Sequence, residues 1–521
     1  MHLQPIQHPQ IRVVDFGSQY TQLIARRVRE LGVYTEIVSC HADGSLITAG
    51  LREGRLRGLI LSGGPQSVYG ERAPSISPEV YRLGIPVLGI CYGLQLMAHQ
   101  LGGRVVPGKV REYGPAEIEI IQPDILFQGL PRRFRVWMSH GDTVTALPAG
   151  FIPLARTEAT PYAAVYRPED RLFGVQFHPE VVHTEHGQDI LRRFVFDVCG
   201  AERDWDLRVY MHRLIEWIRA CSRAGRILVA VSGGVDSTVL AHLIHQGAGE
   251  RMRAVFVNNG VLRLHEAEHV QHVFRDRLGI PLEYVDASPR FLERLRGVTD
   301  PEEKRRIIGN TFVEVFEETA RRIGPFRYFA QGTLYPDVVE SGASLGPSAV
   351  IKTHHNLVDA VHSMGMEVIE PFRELFKDEV RRIASFLDVP EEIIHRQPFP
   401  GPGLAIRIIG EVTPERLAIL RAADAIVEAE MRAAGWYHRL WQSFAVLLPI
   451  QTVGVMGDER SYAHVIALRI VESQDGMTAN WVYLPEPLLR RIAARIVNEV
   501  PGVNRVVLDI TSKPPATIEW E

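Results

Sequence analysis

The chain has 521 residues, of which 46% are apolar and 23% charged, with a formal net charge of −4. That length exceeds what a single core serves, so two to four domains are expected. The near-neutral balance gives no global basic footprint for nucleic acid, and no apolar run approaches the ~18 residues of a membrane span.

In chain order, residues 11–16 read as a buried strand and 18–31 as an amphipathic helix. Residues 58–61 and 86–90 are further strands, the second feeding a helix over 93–101. This alternation predicts a largely parallel sheet, and short turns beyond about residue 105 predict an antiparallel extension of it. A helix over 187–199 closes the region, and 200–204 reads as a junction. After a helix over 206–223, a second β/α series runs through strands at 227–231, 254–258, 282–286 and 328–331. The run Pro398-Phe399-Pro400-Gly401-Pro402-Gly403 can continue neither a helix nor a central strand. The remainder reads β-α-β-β-α-β, with strands at 405–409, 444–449, 462–470 and 505–510 and helices at 414–434 and 485–499. The expected fold class is α/β: two doubly wound, mostly parallel-sheet domains over 9–201 and 202–396, and a small α+β domain over 397–521. The basic runs Lys304-Arg305-Arg306 and Arg321-Arg322 read first as solvated helix faces, with anionic ligands as the alternative.

Four scattered cysteines (Cys40, Cys91, Cys199 and Cys221) offer no zinc spacing and no disulfide framework, and the first residues carry no secretory leader. A reducing cytoplasm is the expected compartment, and it suits a free thiol. A lone cysteine in an apolar strand is most often a core residue. Cys91, however, sits between Gly89 and Gly93 where a strand meets a helix, the pattern of a nucleophile elbow. The helix N-terminus there favours a thiolate and an oxyanion. Downstream, His178 and Glu180 are two residues apart, which puts them on one face of a strand. Glu180 can orient His178, and His178 can take the proton of Cys91. The loop Ser62-Gly63-Gly64-Pro65 follows another strand and offers backbone N–H groups to an oxyanion.

The second chemical signature is Ser232-Gly233-Gly234-Val235-Asp236-Ser237-Thr238, lying between a strand and a helix. Successive N–H groups and three hydroxyls can wrap a pyrophosphate at the helix N-terminus. No Lys follows the glycines, so this is not the GxxxxGK[ST] loop. Asp236 is a candidate Mg²⁺ ligand beside such phosphates.

The segments DFGSQYTQLIARRVRELGVY, LSGGPQSVYGERAP, GICYGLQLMAHQLGG, MSHGDTV and GVQFHPEVVHT together resemble the class I glutamine amidotransferases. That likeness implies that Cys91 attacks the glutamine carboxamide, forms a thioester and releases ammonia, with Gly63 and Tyr92 in the oxyanion-hole region. SGGVDST resembles the PP-loop of the ATP pyrophosphatases, implying ATP as co-substrate with Mg²⁺ and AMP and pyrophosphate as products. GVTDPEEKRRIIG, FAQGTLYPDVVES, IKTHHN, IEPFRELFKDEVR, PFPGPGLAIR, FAVLLPIQTVGVMGDERSY and DITSKPPATIEWE extend the resemblance over nearly the whole chain, to the glutamine-hydrolysing GMP synthetase family. Members adenylate xanthosine monophosphate (XMP) and displace AMP with ammonia to give GMP.

Carried over residue by residue, the resemblance assigns XMP contacts to Arg263, Gln442, Asp458, Lys513 and Glu519. It assigns a lid to Lys352, His354, His355 and Asn356, for which an adjacent-His metal site is the alternative. It also implies a C-terminal dimerisation domain and hence a homodimer, with no nucleic acid or membrane partner. Two departures stand out: Asn258 occupies a position where the family has Asp, and Leu357-Val358-Asp359-Ala360 replaces a Gly-rich lid segment. Two rival readings remain at this stage. One is another glutamine-dependent PP-loop amidotransferase such as an NAD synthetase, which would lack the C-terminal segment. The other is a non-catalytic regulatory protein on the same scaffold, which would have lost a triad residue or the loop.

Overall fold

The computed structural model describes residues 9–343, 357, 360–456, 459–473, 476 and 478–521. These form two compact units, 9–210 with 336–343, and 211–335 with 357 and the described residues from 360 onward.

The first unit holds β1 (Ile11–Asp15), β2 (Thr35–Ser39), β3 (Gly58–Leu61), β4 (Val87–Ile90), β5 (Arg104–Ile120), β6 (Arg133–Ala146), β7 (Ile152–Arg156), β8 (Ala164–Arg167) and β9 (Leu172–Val175). They make one nine-stranded sheet in the order β2-β1-β3-β4-β9-β8-β7-β5-β6. The neighbours from β2 to β9 run parallel, and those from β9 to β6 antiparallel, as the turn pattern predicts. β3, β4 and β9 are buried at every residue, which is why they read as unbroken apolar runs. The first helix is Thr21–Glu30, shorter than the expected 18–31. Residues before it form a turn in which the Asp15 carboxylate accepts from Gly17 N (2.9 Å) and the Thr21 hydroxyl (2.6 Å). The expected helix over 187–199 is Gly187–Arg192 followed by a wider i→i+5 coil over Arg193–Val198.

β4 enters the helix Tyr92–Gln100 through Cys91, which has φ 51° and ψ −104°. The turn closes only because two neighbours lack side chains. A Cβ on Gly93 would sit 2.4 Å from the Leu61 carbonyl oxygen, and one on Gly89 2.6 Å from the backbone of Gly93.

The second unit contains β10 (Ile227–Ala230), β11 (Met252–Asn258), β12 (Leu282–Asp286), β13 (Tyr328–Ala330) and β14 (Glu367–Ile369). They form an all-parallel sheet in the order β12-β11-β10-β13-β14, as expected of the second β/α series. A third sheet holds β15 (Gln442–Met456), β16 (Glu459–Glu472), β17 (Asn480–Trp481) and β18 (Val503–Asp509), with helices Pro414–Ala433 and Glu486–Glu499. β15 and β16 form a long antiparallel hairpin, and β18 runs parallel to β16. One buried cluster serves both sheets, running from Leu228, Val255 and Phe316 to Leu417, Leu468 and Ile492.

Two expectations fail here. The strand expected over 405–409 is absent: Gly403–Arg407 forms a single tight helical turn, and only Ile408 bridges to Leu447. Gly403 is held at φ +62° with its Cα against the Val261 carbonyl, so the chain cannot leave the Pro-Gly run extended. The basic run at 304–306 is not a solvated face throughout. Lys304 is wholly buried on the helix Pro301–Ile323, its ammonium donating to the carbonyls of Ala405 (3.2 Å) and Ile408 (2.8 Å) and to the Glu521 carboxylate. Arg306 does face solvent, paired with Glu303.

Gly93→Ala should destabilise the first unit by about 1–3 kcal/mol, the usual range for forcing atoms into a packed site. A differential thermal melt measures this, and an unchanged transition would show that the helix can retreat from Leu61 freely.

Candidate active sites

In the first unit the Cys91 amide donates to Val175 O (2.8 Å), which seats the elbow on the end of β9. The thiol is buried, with Sγ 3.6 Å from the Ser139 carbonyl oxygen and 3.6 Å from Gln176 Nε2. His178 and Glu180 are buried beside it, and His178 Nδ1 lies 2.7 Å from Glu180 Oε1. Nδ1 therefore carries the proton, leaving Nε2 for chemistry. The ring is fixed from several sides: His178 N donates to Trp137 O (3.0 Å), Thr184 Oγ1 donates to His178 O (2.6 Å), and the Tyr20 ring packs edge-on. Burial alone would strip the imidazole of its second proton. The charge of Glu180 and hydrogen bonds to Cys91 and Glu180 outweigh it and hold His178 well above its ordinary range. The stabilisation from this pair is thus complete below the unfolded value of ~6.5 and fades as pH rises through the raised one.

Gly63 lies against the imidazole, since a Cβ there would meet His178 Cε1 at 3.2 Å and Ser18 Oγ at 3.3 Å. Ser62 fixes this loop by accepting from Phe16 N (3.0 Å) and donating to Gly63 O (2.8 Å). The Tyr92 ring is wholly buried and its hydroxyl donates to Pro74 O (2.6 Å), so only its backbone reaches the thiol site. Sequence reading thus named residues that come together here, but it missed Gln95 and Gln176. The signal was available: Gln95 is one helical turn beyond Cys91, and Gln176 is two residues before His178.

In the second unit Ser232–Thr238 spans the gap between β10 and the helix Val235–Ala248. Gly233 takes φ +76°, and a Cβ there would strike Val270 at 2.5 Å. The hydroxyls of Ser232 and Ser237 lie 3.1 Å apart, Ser237 Oγ donates to Gly234 O (3.1 Å), and Thr238 Oγ1 donates to the same carbonyl (2.8 Å). Asp236 places Oδ2 3.4 Å from Lys377 Nζ, while its Oδ1 is buried and without a hydrogen bond. The loop opens on a cavity of about 690 Å³ that Arg305, Lys377, Arg381 and Arg396 also line, with Phe256, Phe312 and Phe399. Arg396 ties the loop down, donating to Gly233 O (3.0 Å) and pairing with Glu266. Asn258 stabilises a turn, accepting from Gly260 N (3.0 Å) and donating to the Tyr284 hydroxyl (3.2 Å).

Of the residues read as acceptor contacts, Gln442 and Glu519 meet: Gln442 Nε2 donates to Glu519 Oε1 at 3.0 Å. Arg407 grips the same carboxylate with two bonds of 2.9 and 2.8 Å. Arg263 lies against the Phe399 ring, as Arg407 does, 3.4 Å from Asp424 and 3.5 Å from Glu428. Lys513 donates to Gly476 O (2.7 Å), and no contact brings it to the other three among the described residues. Arg407, which sequence reading missed, is wholly buried. Asp458, Lys352, His354, His355 and Asn356 lie outside the described residues.

Glu180→Gln removes the charge that holds the proton on His178. NMR titration of the His178 ring should give a midpoint above the ordinary histidine value in the parent chain and a lower one in the variant. Equal midpoints would show that Glu180 does not control the imidazole.

The sequence model of the family described as glutamine amidotransferase class-I matches residues 12–198, and that of the GMP synthase C terminal domain matches residues 429–520. The glutamine-hydrolysing GMP synthase of Thermomicrobium roseum is 57% identical over 99% of this chain and 98% of its own length. That of Aquifex aeolicus is 55% identical over 99% of this chain and 100% of its own. That of Maridesulfovibrio salexigens is 53% identical, covering 98% of each chain. With such identity from end to end, and with the thiol, imidazole and carboxylate gathered in one unit and the SGGVDST loop at a cationic cavity in the other, the chain belongs to the glutamine-hydrolysing GMP synthase family.

Proposed function

We propose that the protein makes GMP: it hydrolyses glutamine to ammonia, adenylates XMP with ATP, and aminates the adduct. The observation that carries this reading is the identity with GMP synthases along the whole chain, at 57% for one relative. That identity includes the C-terminal segment, which speaks against the other PP-loop amidotransferases.

Three segments divide the work: 9–201 the glutaminase, 202–396 the ATP pyrophosphatase, and 397–521 dimerisation and XMP binding. Cys91 attacks the glutamine carboxamide as a thiolate, and the tetrahedral oxyanion takes N–H bonds from Gly63 and Tyr92. His178 hands its proton to the leaving ammonia and then draws one from water, which releases glutamate from the thioester. Glu180 holds the imidazole in the required tautomer.

At the second site Ser232–Thr238 cradles the β,γ-phosphates of ATP. The O2 of XMP attacks the α-phosphorus, the α–β bridging bond breaks, and pyrophosphate leaves. Ammonia then attacks C2 of the purine and expels AMP. Lys377, Arg381 and Arg396 balance the polyphosphate charge. Arg263, Gln442, Asp458, Lys513 and Glu519 hold XMP, and Lys352, His354, His355 and Asn356 cover the phosphates. Asp236, with its buried, unbonded Oδ1, would be the residue to hold a Mg²⁺. When bound, that ion neutralises the phosphates.

The four cysteines are free, and a reducing cytoplasm suits a thiol nucleophile. No helix among the described residues is long and apolar enough to cross a membrane. A homodimer is supported by the outer face of the β15–β16 hairpin. Val453 pairs directly with Tyr462, and Val455 with Arg460, so all four lie on one face, where Val455 is 74% and Tyr462 69% exposed. An apolar patch of this kind on a sheet is the mark of an interface.

With purified protein, ATP, Mg²⁺ and XMP, either glutamine or ammonia should give GMP, AMP and pyrophosphate. Cys91→Ala should abolish the glutamine-driven reaction and leave the ammonia-driven one. Release of ADP and phosphate, or loss of both reactions, would overturn the reading. Val455→Asp should shift the protein toward monomer in light-scattering chromatography, and an unchanged mass would remove this face from the interface.

A further inference from the structure

Four polar groups behind Cys91 have an orientation that hydrogen-bond polarity alone decides. The Asp142 carbonyl oxygen can only accept, and it lies 2.9 Å from His140 Nδ1 and 3.0 Å from Gln95 Nε2. Gln95 must therefore turn its NH₂ toward it. The same NH₂ lies 3.3 Å from one end of the Gln176 amide, which must then be the carbonyl, Oε1. That leaves Gln176 Nε2 no choice but to face Cys91 Sγ, at 3.6 Å. Gln176 is wholly buried, and Gln95 and His140 nearly so, so the relay is shielded from bulk solvent.

We propose that Gln176 is a dedicated hydrogen-bond donor to the Cys91 sulfur, held by Gln95 and the Asp142 carbonyl so that the site favours thiolate over thiol. A side-chain amide N–H stabilises an anionic sulfur far more than a neutral one, because bonds to charged groups are about twice as strong. The donor acts in addition to the helix N-terminus and His178. The other titratable groups on the elements packed there are Glu180, behind His178, Tyr20 edge-on to His178, His140 and Asp142 on β6, and Glu112 on β5, 3.3 Å from His140 Nε2. None of these is a fixed donor to Sγ, whereas Gln176 keeps its N–H at every pH. This rests on the reading of Cys91 as the glutaminase nucleophile.

The test measures alkylation of Cys91 by iodoacetamide against pH, by mass of the Cys91 peptide, together with glutamine hydrolysis. Gln176→Leu removes the donor, and the midpoint of alkylation should rise by about one pH unit, with glutaminase kcat/KM falling about tenfold. Gln176→Glu keeps the shape but presents a carboxylate to the sulfur, so its midpoint should rise further; it decides the matter alone if Gln176→Leu fails to fold. Gln95→Leu frees the Gln176 amide to rotate and should give a smaller rise. Unchanged midpoints in variants with a normal melting temperature would overturn the proposal. Cys91→Ser run alongside separates the two readings: if it still hydrolyses glutamine, the nucleophile is misassigned, and if it is inactive while the Gln176 variants alkylate normally, only the donor role falls.

Discussion

Three cations with no solvent exposure, Lys304, Arg407 and Arg469, organise the second unit, and each bonds the C-terminal segment. Arg469 donates to the carbonyls of Thr511, Thr517 and Ile518, Arg407 grips Glu519 with two bonds, and Lys304 meets Glu521. Burying a lone charge costs several kcal/mol, so these side chains are tolerable only while the segment is docked. The segment in turn supplies Glu519 to Gln442 beside Phe399, which lines the phosphate-loop cavity. The Gln442–Glu519 contact is therefore built on a charge balance whose two sides lie between 42 and 217 residues apart in sequence. Phe399 carries the link onward, with Arg407 and Arg263 both against its ring.

The first unit rests on a steric constraint instead. Cys91 is held at positive φ because Gly89 and Gly93 let β4, the elbow and β3 approach more closely than any side chain allows. The strain this stores in the turn is repaid in position, with the thiol presented at the head of a helix and beside a buried imidazole. At the thiol site charge enters through the His178–Glu180 pair, whose carboxylate keeps one oxygen, Oε2, without a hydrogen bond.

Legibility in the sequence followed the locality of the physics. Most parallel strands of both units were readable because they are short apolar runs, while β2, β9 and β14 went unnoticed; Cys91, His178 and the SGGVDST loop were readable because the spacing that matters is a few residues. Lys304 was misread as solvated because nothing near it in sequence announces the carbonyls of Ala405 and Ile408 that enclose it. The strand expected at 405–409 failed for a similar reason. Its apolar pattern is real, and all of Gly403–Arg407 is buried, but the close approach of Gly403 to Val261 is a tertiary fact. Arg407 and Gln176 escaped notice because a buried polar residue looks like any other until its partners are known.

The single buried cluster that runs from Leu228 to Ile492 has a consequence for how the protein can be taken apart. A cut at the Pro-Gly run would leave the faces of Phe316 and Leu417 bare on separate fragments, and both would be sticky rather than folded. The α/β sheet and the C-terminal sheet thus form one cooperative block. A gene fusion, split reporter or inserted tag placed between them would break that block, whatever the turn-rich sequence at 398–403 suggests about a linker.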